Sequence, residues 1–260
     1  MPYQTLALDS RPPLLIISLI RAASGNRIDR PLVGELREAL QDAGEDRSIR
    51  AVVLTGSEGV FCLGWDAATV AEIERDGVSS VESGLLGSTF QFLAESPLPV
   101  IAAINGDAFS AGLELALACD LRLATTEASL GLPDTSDGRI PMAGGTQRLA
   151  RIAGRSRAIE MVLTGRIISA GEALTYEILN MSCEPGSLLD AAVQLGTAIA
   201  TRGPLAVRLA KEAVHRGLDM PLQQAMRYET DLTVLLQTTA DRTEGVHAFL
   251  EKRRPRFEGR

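Results

Sequence analysis

The sequence predicts a mixed α/β fold that turns helical toward its end, and three observations carry that prediction. Short aliphatic runs at Leu14–Ile20, Ala51–Leu54 and Val100–Ile104 read as buried strands. Helical periodicities separate them, so β and α elements alternate to about residue 165. From Ala170 onward the pattern is almost wholly helical, with Pro185-Gly186 and Gly203-Pro204 as its clearest breaks.

Taken in order, Thr5–Asp9 alternates weakly, and Pro12-Pro13 bounds the run that starts at Leu14. Asp29-Arg30-Pro31 opens a helix, with Asp29 as cap and Pro31 in the first turn. Leu32, Leu36, Leu40 and Ala43 form its apolar face. After the strand at Ala51–Leu54, Gly56-Ser57-Glu58-Gly59 is a turn, and Val60–Leu63 is extended again. Asp66 caps a helix carrying Val70 and Ile73, and a second helix spans about Val81–Ala94. Pro97 and Pro99 stop it and lead into Val100–Ile104. Gly106 starts a small-residue loop, Gly112–Cys119 is helical, and Leu121–Ala124 is a strand. Ser129–Asp137 is expected to be an irregular loop, followed by helices at Ala143–Arg151 and about Ser156–Leu163.

Composition narrows the function. With 260 residues and 45% hydrophobic content, the chain can bury a sizeable core in one large domain or one domain with a helical appendage. Its formal charge is −7, a poor footprint for general nucleic-acid binding, so no nucleic-acid partner is expected. Leu14–Ile20 is too short to span a bilayer and no targeting signal is visible, so a cytoplasmic location away from membranes is expected. Cys62, Cys119 and Cys183 are odd in number, lack a C-x-x-C pattern and sit in apolar contexts, which reads as buried free thiols in a reducing compartment. The only histidines, His215 and His247, lie in the last quarter, far in sequence from any base-dependent nucleophile. There is no phosphate-binding G-x-x-x-x-G-K-[ST], no H-E-x-x-H, no G-x-S-x-G and no cluster with metal-ligand spacing.

Three segments carry chemistry. In Phe61-Cys62-Leu63-Gly64-Trp65-Asp66 a strand ends, a glycine turns sharply and an acidic cap starts a helix, which can leave a backbone N–H facing a cleft. In Asn105-Gly106-Asp107-Ala108-Phe109-Ser110-Ala111-Gly112-Leu113-Glu114 small residues crowd a helix start, whose unpaired N–H groups suit an oxyanion. Glu114, set among Leu113, Leu115 and Ala116, is placed for desolvation, which raises a carboxyl pKa and makes it a usable acid or base. Leu130-Gly131-Leu132-Pro133-Asp134 supplies a second carboxylate on a proline-fixed loop that leads into Met142-Ala143-Gly144-Gly145-Thr146-Gln147-Arg148-Leu149.

In order and spacing, F-C-x-G-x-D, then I-N-G-x-A-x-x-A-G-x-E-L-A-x-A-C-D, then L-G-x-P-(acidic) with G-x-I-P-x-A-G-G-T-Q-R-L resemble the signature of the crotonase (enoyl-CoA hydratase/isomerase) superfamily. The resemblance runs on through Gly165 to the closing segment Glu244–Arg253, so it covers nearly the whole chain. It implies a crotonase-like spiral of β-β-α units, with an acyl-CoA-binding core at 1–200 and a C-terminal helical region at 201–260 used in trimerisation. It implies an enoyl-CoA hydratase, with Glu114 and Asp134 as acid/base pair and the backbone N–H groups of Trp65 and Ala111 as oxyanion hole. It implies substrate and CoA contacts at Gly64, Trp65, Asp66, Ala67, Ala68 and Gly112, with Phe249 and Lys252 folding over the nucleotide and Arg27 as a further phosphate contact. No permanent cofactor or metal is implied, because coenzyme A arrives as part of the substrate. The implied partners are an acyl-CoA thioester and further copies of the chain, as a homotrimer or a dimer of trimers.

Two positions depart from the family pattern. Asp134 stands where a glutamate is usual, about 1.5 Å shorter, and Asp137 is a nearby substitute. Trp65, the only Trp, stands where a small residue is more common; it either narrows the acyl pocket, offers a platform to a flat acyl group, or packs as wall. Met142 stands where aryl-CoA dehalogenases and dienoyl-CoA isomerases carry a carboxylate, which argues against both. An isomerase, hydrolase or decarboxylase of the same superfamily, an RNA-binding member and a catalytically silent homologue are the alternatives.

Overall fold

The structure, a computed structural model, describes residues 3–76 and 85–260. Its main sheet has six strands: β1 (Leu6–Arg11), β2 (Leu14–Leu19), β3 (Ala51–Gly56), β4 (Val100–Ile104), β6 (Leu121–Thr125) and β9 (Met181–Cys183), side by side in that order. The β1–β2 hairpin is antiparallel and every other neighbour is parallel. The aliphatic runs fall on β2, β3 and β4 because both faces of this sheet are covered. Ile16, Val53, Ile101, Ala103 and Leu123 point to helix α8 (Leu188–Ala200), where Leu188 and Ala192 meet them. The alternate residues Leu15, Ile17, Val52, Leu54, Ala102 and Ile104 point into the larger core.

That core is closed by α1 (Arg30–Glu45), α3 (Leu85–Ala94), α4 (Ala111–Ala118) and α5 (Gly145–Ala153). Asp29 caps α1 by accepting from the Leu32 N–H, and Leu32, Leu36, Leu40 and Ala43 are buried, as the sequence predicts. Asp66 caps α2 (Ala67–Asp76) through the Ala68 and Thr69 amides. The expected helix at Val81–Ala94 begins, within the described residues, at Leu85; 81–84 lie outside them.

A second sheet sets β7 (Ser129–Gly131) between β5 (Ala108–Phe109), to which it is parallel, and β8 (Ile167–Ser169), to which it is antiparallel. It corrects the expectation of an irregular Ser129–Asp137, which is β7 followed by a 3₁₀ turn at Pro133–Asp137. Conversely, Val60–Leu63 is not a strand: Val60 bridges back to Ser57, and Cys62 bridges to Ala108. The helix expected from Ala143 starts two residues later, because residues 143–144 form the turn before it.

After α5 come α6 (Arg155–Thr164), α7 (Ala170–Thr175), then β9, then α8. The three-residue β9 corrects the almost wholly helical reading beyond Ala170; it pairs with β6 and completes the main sheet. The chain continues in α9 (Pro204–Gly217), α10 (Leu222–Gln237) and α11 (Ala240–Leu250). Lys211 on α9 ties this last part to the rest through the Leu98 carbonyl and the Asp120 carboxylate, at 3.0 and 2.7 Å. Among the described residues, no helix is long and apolar enough to cross a membrane.

Candidate active site

Three chain segments run side by side and end at one edge. Cys62 bridges in parallel to Ala108, and Ala108 pairs in parallel with Leu130. Three residues beyond Cys62 and Ala108 stand Trp65 and Ala111, and four beyond Leu130 stands Asp134. Parallel register therefore brings the three together, although they are 46 and 23 residues apart in sequence.

The fit is close. A Cβ on Gly112 would lie 2.0 Å from the Cys62 carbonyl oxygen, so only glycine lets the start of α4 reach the first segment. Gly64, at φ +100°, turns the chain against Ser110. In that turn Gly64 O accepts from Ile28 N–H and Asp66 N–H donates to Ile28 O. Trp65, between them, has its N–H directed away from that partner. Ser110 N–H donates to Gly131 O, and Glu114 N–H to Ser110 O. Among the described residues, neither the Trp65 nor the Ala111 N–H has an acceptor. The latter belongs to the first turn of α4, whose dipole favours negative charge.

Glu114 is fully buried on α4. Its Oε1 accepts from the Ala143 and Gly145 amides at 2.8 and 2.7 Å, and its Oε2 is buried without a partner. Burial pushes its pKa up to about 7, against the pull of those two amides, with Asp134 pushing the same way as burial. Arg148 holds the anchoring loop from behind: its guanidinium donates to Ala143 O at 2.8 Å and to Gln91 Oε1 at 3.1 Å. A cavity of about 700 Å³ between α3, α5 and α9 shares Gly144 and Arg148 with this loop but not the two carboxyls.

Asp134 is only 3% exposed. Its Oδ1 accepts from the Ser110 hydroxyl at 2.5 Å, and its Oδ2 is buried without a partner. The 3₁₀ turn that carries it is fixed by Thr135 Oγ1 donating to Val162 O at 2.7 Å and by Gly165, at φ +63°, packed against Pro133 and Ser136. Asp137, the nearby alternative, lies on the surface: its side chain is 67% exposed and paired with Arg139.

Trp65 is wall rather than open platform, with its ring stacked on Phe90 at 5.8 Å and 9° and its indole N–H buried without an acceptor. Arg27 is exposed beside the Leu63–Trp65 turn. Its guanidinium donates to the Leu63 and Trp65 carbonyls at 2.9 and 3.2 Å and so braces the oxyanion segment. Ala67 and Ala68 open α2 beside that segment. Phe249 and Lys252 are not drawn into the site: Phe249 is 81% exposed at the end of α11, and Lys252 follows it on the surface. Sequence reasoning missed Ser110, the Ala143 and Gly145 amides and Phe90, none of which carries a distinctive residue type.

The arrangement pairs two unsatisfied amide donors with two buried carboxyls, each held by one oxygen and free at the other. Donors of this kind stabilise an enolate oxygen, and such carboxyls exchange protons. Comparisons with known proteins give the family. The family model for enoyl-CoA hydratase/isomerase matches residues 12–260. The chain is 37% identical over 255 residues to the 2,3-dehydroadipyl-CoA hydratase of Escherichia coli, covering 98% of this chain and 99% of that one. It is 33% identical over 259 residues to the crotonyl-CoA hydratase of Syntrophomonas wolfei, covering 99% of each. The crystal structure of an enoyl-CoA hydratase from Bacillus anthracis superposes with a TM-score of 0.94 at 40% identity, covering 99% of this chain and all of that one. Motif, fold and relatives converge: this chain is a crotonase-fold member of the enoyl-CoA hydratase/isomerase family.

Proposed function

We propose that the chain adds water across a trans-2-enoyl-CoA to give a 3-hydroxyacyl-CoA. The observation that carries this reading is the pair of buried carboxyls, each with one anchored and one free oxygen. A double-bond isomerase needs only one such group. In the proposed step an ionised carboxyl takes a proton from water as the water oxygen bonds to Cβ. The π pair moves toward the thioester, and the Trp65 and Ala111 amides hold the oxyanion that forms. The other carboxyl, protonated, delivers its proton to Cα. Glu114, with a pKa near 7, can hold or release a proton at neutral pH.

Coenzyme A comes and goes with the substrate in this reading, along Gly64–Ala68 and Gly112. Residues 201–260 act as a helical region apart from the core at 1–200. Self-association as a trimer or a dimer of trimers is supported by exposed apolar side chains on that region. Val214 and Leu218 at the end of α9 and Leu222 and Met226 at the start of α10 are each at least 60% exposed. In an assembly Phe249 and Lys252 would meet the nucleotide of a neighbouring copy. Three free thiols support a reducing compartment.

The test follows loss of the conjugated enoyl-thioester absorbance on crotonyl-CoA. Wild type consumes the substrate, and Glu114→Gln lowers kcat by about 10³-fold or more. Retained isomerase activity in Asp134→Ala, with none in Glu114→Ala, would replace hydration by a 2,3-isomerisation.

A further inference from the structure

We infer that Ser110 is a positioning residue for the second carboxyl: its hydroxyl commits Asp134 Oδ1 and leaves Oδ2 as the oxygen that exchanges a proton. This rests on the acid/base reading of Asp134 given above.

Ser110 sits at φ 49°, ψ −126°, close to the first central position of a type II′ turn, where glycine normally stands. Conformational ease therefore does not explain a serine here. Capping does not explain it either. Serine is a favoured N-cap because its oxygen accepts from the next helical amides, yet Ser110, which precedes α4, makes no side-chain cap bond. Its hydroxyl points instead across 24 residues of sequence to Asp134, at 2.5 Å. Without it, neither oxygen of a carboxyl that is 97% buried would have a donor among the described residues. The backbone that carries the hydroxyl is held in place. Ser110 is pinned by its own amide to Gly131 O and by its carbonyl to the Glu114 amide, and its Cβ lies against Gly64. The same three-way pinning ties the two carboxyls together, since one residue accepts from the backbone of Glu114 and donates to the side chain of Asp134. An aspartate is one methylene short of a glutamate, and the serine hydroxyl reaches out to it. Strain held at a site by its surroundings marks function when the strained residue touches the reacting group.

Two substitutions separate the hydroxyl from the backbone. Ser110→Ala keeps Cβ and the strained φ; Ser110→Gly removes both hydroxyl and strain. On crotonyl-CoA both are expected to lose about 10–100-fold in kcat with KM changed less than about threefold. Ser110→Gly is expected to have a higher thermal midpoint than Ser110→Ala, because it relieves the strained φ, yet to lose as much kcat, which separates the hydroxyl's role from the stability of the fold. Asp134→Glu alone is expected to impair kcat, and Ser110→Gly combined with it to recover to within about tenfold of wild type, because the freed space takes the longer carboxyl. Unchanged kcat in Ser110→Ala, or loss of kcat only in step with a fall in thermal midpoint, would overturn the assignment. Absence of hydration in wild type sinks the hydratase reading alone. Crystal structures of Ser110→Gly then decide: a turned or doubled Asp134 carboxyl supports the positioning role, and an unmoved single conformer overturns it.

Discussion

Glu114 and Asp134 share one task in the proposed reaction, with opposite kinds of support. Glu114 stands in the first turn of a long-buried helix and is held by two backbone amides from the Ala143–Gly145 loop. Asp134 stands on a 3₁₀ turn and is held by a single side-chain hydroxyl. Backbone donors survive substitution of their own side chains, so the Glu114 anchor depends on the path of a loop. The Asp134 anchor depends on the identity of one residue. The first carboxyl is thus guarded by geometry and the second by chemistry. Tolerance to substitution should differ accordingly around the two.

The largest effect expected from this contrast is on stability against pH. Glu114 has its folded pKa raised from 4.5 to about 7. The folded chain then binds more protons than the unfolded one between those values, so its stability is greatest below about 4.5 and falls as pH rises through 7. Relative to Glu114→Gln, wild type should lose about 3 kcal/mol across that window. Denaturant titrations of both proteins at pH 5 and pH 8 check this; equal differences at the two pH values would mean that burial does not raise the pKa.

Next comes the loop. A Cβ on Gly145 would lie 2.8 Å from both Cγ and Oε1 of Glu114. Gly145→Ala should therefore displace the carboxyl and lower kcat about 10²-fold with the fold retained. A kcat within twofold of wild type would show that the loop gives way and that geometry does not guard this carboxyl. The smallest effect is expected at Asp137. Exposed and paired, among the described residues, with Arg139, it should change kcat by less than about twofold on replacement by alanine. A large loss there would make Asp134 one of two acidic groups in play.

Much of this was readable in the sequence, for identifiable reasons. The strands β2, β3 and β4 announce themselves because both faces of the main sheet are buried, so their sequences are runs of aliphatic residues broken by little more than Ser18 and Thr55. Glu114 stands out because a carboxyl amid leucines is unusual, whereas Asp134 by itself reads as an ordinary turn residue and is picked out by its place in the family motif. The short strands β5, β8 and β9 escaped notice because two or three residues contain no periodicity. Ser110 escaped because the meaning of its hydroxyl lies 24 residues away. The carbonyl contacts of Arg27 were illegible for a similar reason: a cation that braces carbonyls has the same sequence signature as one that meets an anion.

The parallel alignment of the segments ending at Trp65, Ala111 and Asp134 has a consequence for how this protein can vary. Each residue advances the chain by up to about 3.3 Å, and loss of one within these tight turns re-aims the groups that follow. Deleting a single residue between Cys62 and Trp65, or between Ala108 and Ala111, would therefore carry an amide donor out of range and turn it the wrong way. Substitutions around the site are graded in their effects, but changes in length there are all-or-none. Lineages descended from such a chain can rewrite the letters of these three segments, yet they must keep the spacing between them.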